Sequence, residues 1–145
     1  MVGSMGCISS LGLGLALAQP SKKVIVIDGD GSAIMRMGSF TTNAYYQPTN
    51  LLHIVLDNNT HDSTGGQATV SHNIDFVEHA ASVCYPIAQQ VNGLDELTKS
   101  IVKWQIQGGL TLLHLRIAKG STKELGRPSI KPYQVKERLM HFIQQ

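Results

Sequence analysis

Asp28-Gly29-Asp30-Gly31-Ser32 sets two carboxylates among small residues, directly behind the apolar run Val24 to Ile27. Acidic side chains among glycines suit a calcium loop, a phosphate-binding turn, or a site where a cation joins a carboxylate to an anion. A calcium loop of the EF-hand type needs glycine at its sixth position and glutamate at its twelfth. Counted from Asp28 these are Ala33 and Ser39, which excludes that chemistry. A dinucleotide turn fits the order of strand, glycines and helix, but Ile34 replaces its third glycine and Asp57 is the only candidate for its ribose-binding acid. Asp30 would also repel the phosphates that such a turn gathers at a helix start. A cation between them removes the conflict. Magnesium takes oxygen ligands and commonly bridges one or two protein groups to phosphate oxygens. Asn58, 28 residues beyond Asp30, follows a second apolar run, so one helix and a return strand fit between the two.

These side chains need elements to hold them. Lys23 to Asp28 reads as a strand buried on both faces, and Leu51 to Asp57 as a second. Between them, Ala33 to Tyr46 reads as a helix with Ile34, Met37, Ala44 and Tyr45 facing inward and Met35, Met37 and Phe40 in the core. The polar stretch Asn58 to Asn73 is longer than a connector needs to be, which marks a functional or disordered loop. Asp75 to Ser82 reads as a short helix, Cys84 to Ala88 as a strand, and Leu94 to Gln105 as a helix stopped by Gly108-Gly109. Thr111 to Ile117 is the next strand, and a last helix from Pro132 carries Val135, Leu139, Met140 and Ile143 on one face. Such alternation implies a three-layer α/β/α fold with a mostly parallel sheet. Ligands of such sheets sit beyond the carboxyl ends of the strands, where Asp30 and Asn58 both fall.

At 145 residues and 42% hydrophobic content the chain suits one domain. Only 15% of residues are charged, which suggests that another domain or subunit covers part of the surface. A formal charge of +2, with no basic run interleaved with aromatics, leaves no nucleic-acid footprint. Cys7 and Cys84 form no metal or disulfide pattern and read as reduced, buried thiols of a cytoplasmic protein. The opening apolar run imitates a signal peptide but lacks a preceding cation and is too short to span a bilayer; a tightly packed, glycine-rich helix stopped by Pro20 is expected instead. His53 and His114, in apolar strands, read as satisfied core residues; His72 and His79 read as surface.

The GDG turn with Asn58-Asn59 resembles the diphosphate- and metal-binding motif of thiamine-diphosphate-dependent enzymes. Longer stretches, GSMGCISSLGLGLALA, DGDGSAIMRMGSF, NLLHIVLDNNTHDSTGGQATVSHNIDF and LGRPSIKP, are similar to the carboxy-terminal domain of the phosphonopyruvate decarboxylase family. Sulfopyruvate decarboxylases are similar too, with a loop that tends to lack the HDSTGGQ form. The resemblance covers nearly the whole chain. It implies magnesium bound by the Asp30 and Asn58 side chains and the Thr60 carbonyl, with Gly29, Gly31, Ser32 and Ala33 around the diphosphate. Gly3, Ser4 and Met5 fall where the family meets the aminopyrimidine, Met5 matching the side chain that bends the cofactor.

The reaction implied is thiamine-diphosphate-dependent decarboxylation of phosphonopyruvate to phosphonoacetaldehyde and carbon dioxide. His61, Ser63 and Thr64, with Asp62 among them, fall beside the expected place of this 2-oxoacid substrate; a hydrogen-bonding loop without chemical role is the other reading. Lys119, Lys123, Arg127 and Lys131 form a basic loop suited to a dianion or to solvent. The family's activating glutamate belongs to a separate pyrimidine-binding domain or subunit, and Glu78, Glu96, Glu124 and Glu137 lie outside the matching motifs. The chain is therefore expected to be the diphosphate- and magnesium-binding domain alone, incomplete for catalysis and held in a homo- or hetero-oligomer. A sulfopyruvate decarboxylase beta-type subunit, a non-catalytic fragment and a dinucleotide-binding module are the alternatives.

Overall fold

The computed structural model describes residues 3–120, 122, 124–126 and 128–145. Three apolar runs form the centre: strands β1 (Val24–Gly29), β2 (Leu51–Asp57) and β4 (Thr111–Arg116). With β3 (Ile87–Val91) they make one all-parallel sheet in the order β1-β2-β4-β3. Parallel strands need crossovers, and helices supply them. α1 (Ile8–Ala18), α2 (Asp30–Met35), α3 (Gly38–Tyr46) and α4 (Phe76–Ser82) accompany one face, α5 (Leu94–Gln107) covers the other, and α6 (Pro132–Ile143) closes the chain.

The first face is sealed by Phe40 and Phe76, both fully buried, against Val26, Val55 and Leu112. Gly12 of α1 is what lets that helix lie on β1, since a Cβ there would stand 2.1 Å from Val26 Cγ2. The glycine-rich opening helix is thus present and tightly packed, ending at Ala18 before Pro20. On the second face Trp104 of α5 fills the space over Leu52, Ile54, Leu113 and Leu115. Among the described residues no helix is long and apolar enough to cross a membrane.

Several expectations are corrected. β1 is buried on one face only: Ile25 is 44% and Ile27 61% exposed, because α5 does not reach this edge of the sheet. The expected helix 33–46 is two helices. Arg36 leaves helical geometry at φ −132°, and Gly38 and Ser39, weak helix formers, follow in a turn tightened by Ser39 N–H to Arg36 O and Phe40 N–H to Met37 O. Ala33, Phe40 and Ala44 still reach the core, with Ile34 and Met37 packed at its margin, but Tyr45 and Met35 face outward.

The strand expected at Cys84 begins three residues later. Cys84, at φ +72°, and Tyr85 turn back on α4 through Cys84 N–H to Ala81 O and Tyr85 N–H to Ala80 O, a helix ending in which glycine usually holds the left-handed place. Cys84 is accordingly exposed and Cys7 half-buried, rather than both buried. The last helix forms where expected, Pro132 at its first turn and Lys131 N–H donating to Gln134 Oε1 at 2.8 Å. Its apolar stripe is not buried, however: Val135, Leu139 and Met140 stay 41–49% exposed and Ile143 is half-buried.

Candidate functional site at the strand ends

β1 and β2 run side by side with Gly29 opposite Leu56, so their carboxyl ends open at the same level. Asp30 begins α2 and Asn58 follows β2; together they line one cleft of about 540 Å³. Gly29, Gly31 and Ser32 line it from the end of β1, Thr60, His61 and Ser63 from the loop after β2, and Ser4 and Met5 from the segment before α1. Three expected residues stand apart from the walls: Gly3, exposed at φ +72°; Ala33, buried in the core; and Thr64, whose hydroxyl donates to His61 O at 3.4 Å.

Local bonds hold each group. Asp30 is 2% exposed, and its Oδ2 accepts a hydrogen bond from the Thr69 hydroxyl. The Asn58 side chain is fixed at both ends, Oδ1 accepting from Thr60 N–H at 3.1 Å and Nδ2 donating to Asp62 Oδ2 at 2.9 Å. That Asp62 oxygen also accepts from Gly120 N–H at 2.9 Å, tying the β2 loop to the segment after β4. His61 N–H and the Thr60 hydroxyl both donate to Gln67 O, so the long loop is folded back on itself. The first turn of α2 lies against it: a Cβ on Gly31 would stand 2.3 Å from the His61 ring. On the other side Gly6 N–H donates to Ser32 Oγ at 2.9 Å, hooking the segment before α1 onto α2.

The donors that the two strand ends bring together are those of a hard cation: the Asp30 carboxylate, the Asn58 amide oxygen, and a Thr60 carbonyl with no donor among the described residues, while Asp28 and Asp62 also line the cleft. No group of three His, Cys, Asp or Glu side chains capable of holding a metal occurs among the described residues, which is the opposite of a zinc-type site. The residues present therefore fit magnesium with an anion. A Cβ on Gly29 would meet nothing within 4 Å, leaving its backbone approachable from the cleft.

Asp57, the acid required by the dinucleotide reading, is otherwise engaged. Oδ1 accepts from Asn59 N–H at 3.0 Å and Ser71 Oγ at 2.7 Å, and Oδ2 lies 3.1 Å from His114 Nε2. Burial pushes its pKa up, but the Ser71, His114 and Asn59 hydrogen bonds outweigh burial and hold the carboxyl below the usual value. With both oxygens engaged and the residue 5% exposed, it presents no open carboxylate to a ribose.

Thr69, Gly6 and Asp62 lie inside the stretches that carry the resemblance, but their roles were missed, since each acts through a partner distant along the chain or in a loop whose course is unpatterned. His114 is satisfied as expected, but His53 is not. Its ring nitrogens have no hydrogen-bond partner, and Nε2 stands 3.5 Å from an equally unpartnered Asp28 carboxylate. His72 is exposed, whereas His79 is half-buried with its ring 5.3 Å from that of Phe40. Lys119 and Lys131 are exposed; Lys123 and Arg127 lie outside the described residues.

Comparison with known proteins gives a consistent picture. The model of the family described as thiamine pyrophosphate enzyme, C-terminal TPP binding domain, matches residues 1–115. A phosphonopyruvate decarboxylase of Streptomyces hygroscopicus is 46% identical over 98% of this chain, and one of Streptomyces viridochromogenes 44% over 99%. The chain spans only 35% and 36% of those two relatives. A sulfopyruvate decarboxylase subunit beta of Methanococcus maripaludis is 34% identical over 99% of this chain and 76% of its own length. Among solved structures, a thiamine diphosphate-dependent 4-hydroxybenzoylformate decarboxylase of Rhodococcus jostii superposes with a TM-score of 0.69 at 23% identity, covering 81% of this chain and 24% of that one. With its parallel sheet, its cleft at the β1 and β2 ends and these matches, the chain belongs to the thiamine pyrophosphate enzymes, as their C-terminal TPP-binding domain.

Proposed function

We propose that this chain is the diphosphate- and magnesium-binding half of a 2-oxoacid decarboxylase that converts phosphonopyruvate to phosphonoacetaldehyde and carbon dioxide. The observation that carries the reading is the convergence of Asp30 and Asn58, from two neighbouring strand ends, on one cleft. The resemblance of nearly the whole chain to phosphonopyruvate decarboxylases supports the substrate.

Asp30, Asn58 and the Thr60 carbonyl would hold the cation, with Thr69 fixing the Asp30 carboxylate and Asp62 fixing the Asn58 amide. Gly29, Gly31 and Ser32 would present amides and a hydroxyl to the diphosphate, and Ser4 and Met5 would meet the pyrimidine end from the segment before α1. When bound, thiamine diphosphate supplies a thiazolium ring that accepts the electron pair left by departing carbon dioxide. His61 and Ser63, from the loop after β2, would orient the 2-oxoacid. The glutamate that activates the pyrimidine would come from a pyrimidine-binding domain or subunit, in a homo- or hetero-oligomer.

A second reading, a sulfopyruvate decarboxylase beta-type subunit, is favoured by one observation: the chain covers three quarters of such a subunit but about a third of the phosphonopyruvate enzymes. Calorimetric titration of thiamine diphosphate with and without magnesium tests the cleft. Binding that needs magnesium and falls at least about tenfold in Asp30→Ala is expected. Equal binding by that variant would refute the assignment. Reconstitution with a pyrimidine-binding partner then separates the substrates, since aldehyde release from sulfopyruvate but not phosphonopyruvate would select the second reading.

A further inference from the structure

A second cavity, of about 350 Å³, opens between the carboxyl ends of β2 and β4. Asn58 and Ile117 line both this cavity and the cofactor cleft, so the two share a wall. Left-handed Asn59, at φ +54°, turns the chain between them. Asparagine tolerates that geometry better than most residues, and here it carries its amide into the second space.

The donors around this cavity are unbalanced in charge. Arg116 ends β4 opposite Asp57 in register, on the same face as His114, and Lys119 follows in the next loop. Neither pairs with a carboxylate among the described residues. Asp57 lies beneath them at 5% exposure, its oxygens already taken by Ser71, Asn59 N–H and His114. Asp75, in an adjoining hollow that Arg116 also lines, accepts from Val77 and Glu78 N–H as the cap of α4. Asn59 Oδ1 is likewise occupied, lying 3.2 Å from His72 Nδ1 and 3.1 Å from Ser71 Oγ, whose one proton goes to the nearer Asp57. Its Nδ2 has no acceptor among the described residues. Two cations and an unspent amide donor thus line one cavity against a single buried carboxylate, Asp57, that stays ionised but spends its lone pairs on its own hydrogen bonds, so the lining keeps an excess of positive charge.

We propose that this cavity binds a tetrahedral oxyanion, a phosphate, phosphonate or sulfonate group, through Arg116, Lys119 and Asn59 Nδ2. A planar guanidinium at a strand end suits two oxygens of such a group, and a lysine supplies a further point charge. The anion is either free or the acidic end of a molecule whose remainder lies across the shared wall. The chemistry of this cavity does not depend on what the neighbouring cleft holds.

The test is titration of the full chain with inorganic phosphate against chloride at constant ionic strength, followed by backbone amide NMR shifts. Saturable shifts at Asn59, Arg116 and Lys119 are expected, with affinity at least about tenfold weaker in Arg116→Gln, since a charge-assisted hydrogen bond is lost. Asn59→Gly, which keeps the left-handed turn and deletes the donor, should weaken binding about threefold or more. Unchanged thermal unfolding of both variants separates lost binding from lost fold. Shifts that do not saturate, that are confined to Gly29, Gly31 and Ser32, or that persist equally in Arg116→Gln and Asn59→Gly overturn the proposal. Phosphonopyruvate that displaces phosphate while shifting His61 identifies the seat of the ligand's acidic end; phosphonopyruvate that leaves phosphate in place identifies a free-anion site. Both outcomes support an oxyanion site.

Discussion

The two faces of the sheet are built differently. On the first, α1, α3 and α4 close over the strands, and Phe40, Phe76 and Val55 are fully buried. That face also holds polar contacts that only exact burial tolerates: Asn43 Nδ2 donates to Ser9 Oγ at 2.8 Å and to Tyr85 Oη at 3.0 Å, and Asp57 meets His114. On the second face α5 alone covers the strands, Trp104 reaching β2 and β4 but leaving Ile25 and Ile27 of β1 open, while α6 turns Leu139 and Met140 to solvent. The sealed face is where the loops of the cleft are anchored. The open one leaves Ile25 and Ile27 as exposed apolar side chains beside the charged helix α5, the kind of patch that another chain or domain can cover.

The contrast can be broken at graded depth. Phe40→Ala empties the centre of the sealed face and should lower unfolding free energy in denaturant by about 3–5 kcal/mol. Next is Tyr85, whose phenol burial pushes up to about 12 even though the Asn43 hydrogen bond draws it down. Because the folded value lies above the unfolded value, its contribution is fully present below about pH 10 and is lost as pH rises toward 12. Stability measured across that window should fall by on the order of 2 kcal/mol, and Tyr85→Phe should remove this part of the slope. Gly12→Ala forces a methyl onto Val26; overpacking outweighs the gain in helix propensity and leaves a net loss of about 1–2 kcal/mol in thermal unfolding.

Cys84→Gly relieves the left-handed residue behind α4 and should raise stability by up to about 1 kcal/mol. Ile27→Ser, on the open face, should change the stability of the isolated chain by less than about 0.5 kcal/mol. A loss comparable to that of Phe40→Ala would mean that this face is sealed in solution.

Much of this was legible in the residues. Val24 to Ile27, Leu51 to Leu56 and Thr111 to Leu115 are apolar runs, the last two broken only by His53 and His114, and too short for helices, so their strands were readable, as was the turn chemistry of Asp30 and Asn58 behind the first two. The start of β3 was not, because Cys84 and Tyr85 look like strand residues until α4 draws them into its own ending. Nor was the break at Arg36, since Ala33, Phe40 and Ala44 keep helical spacing across it.

The parallel α/β plan and the oxygen chemistry at two strand ends are written in local patterns, because both depend on neighbours a few residues apart. Packing between distant segments settles which face of β1 is covered, that Thr69 braces Asp30, and that Asp57 is engaged by His114. Those outcomes depend on which side chains meet across the sheet, and a carboxylate's availability is set by partners 39 or 57 residues away rather than by its place in a motif.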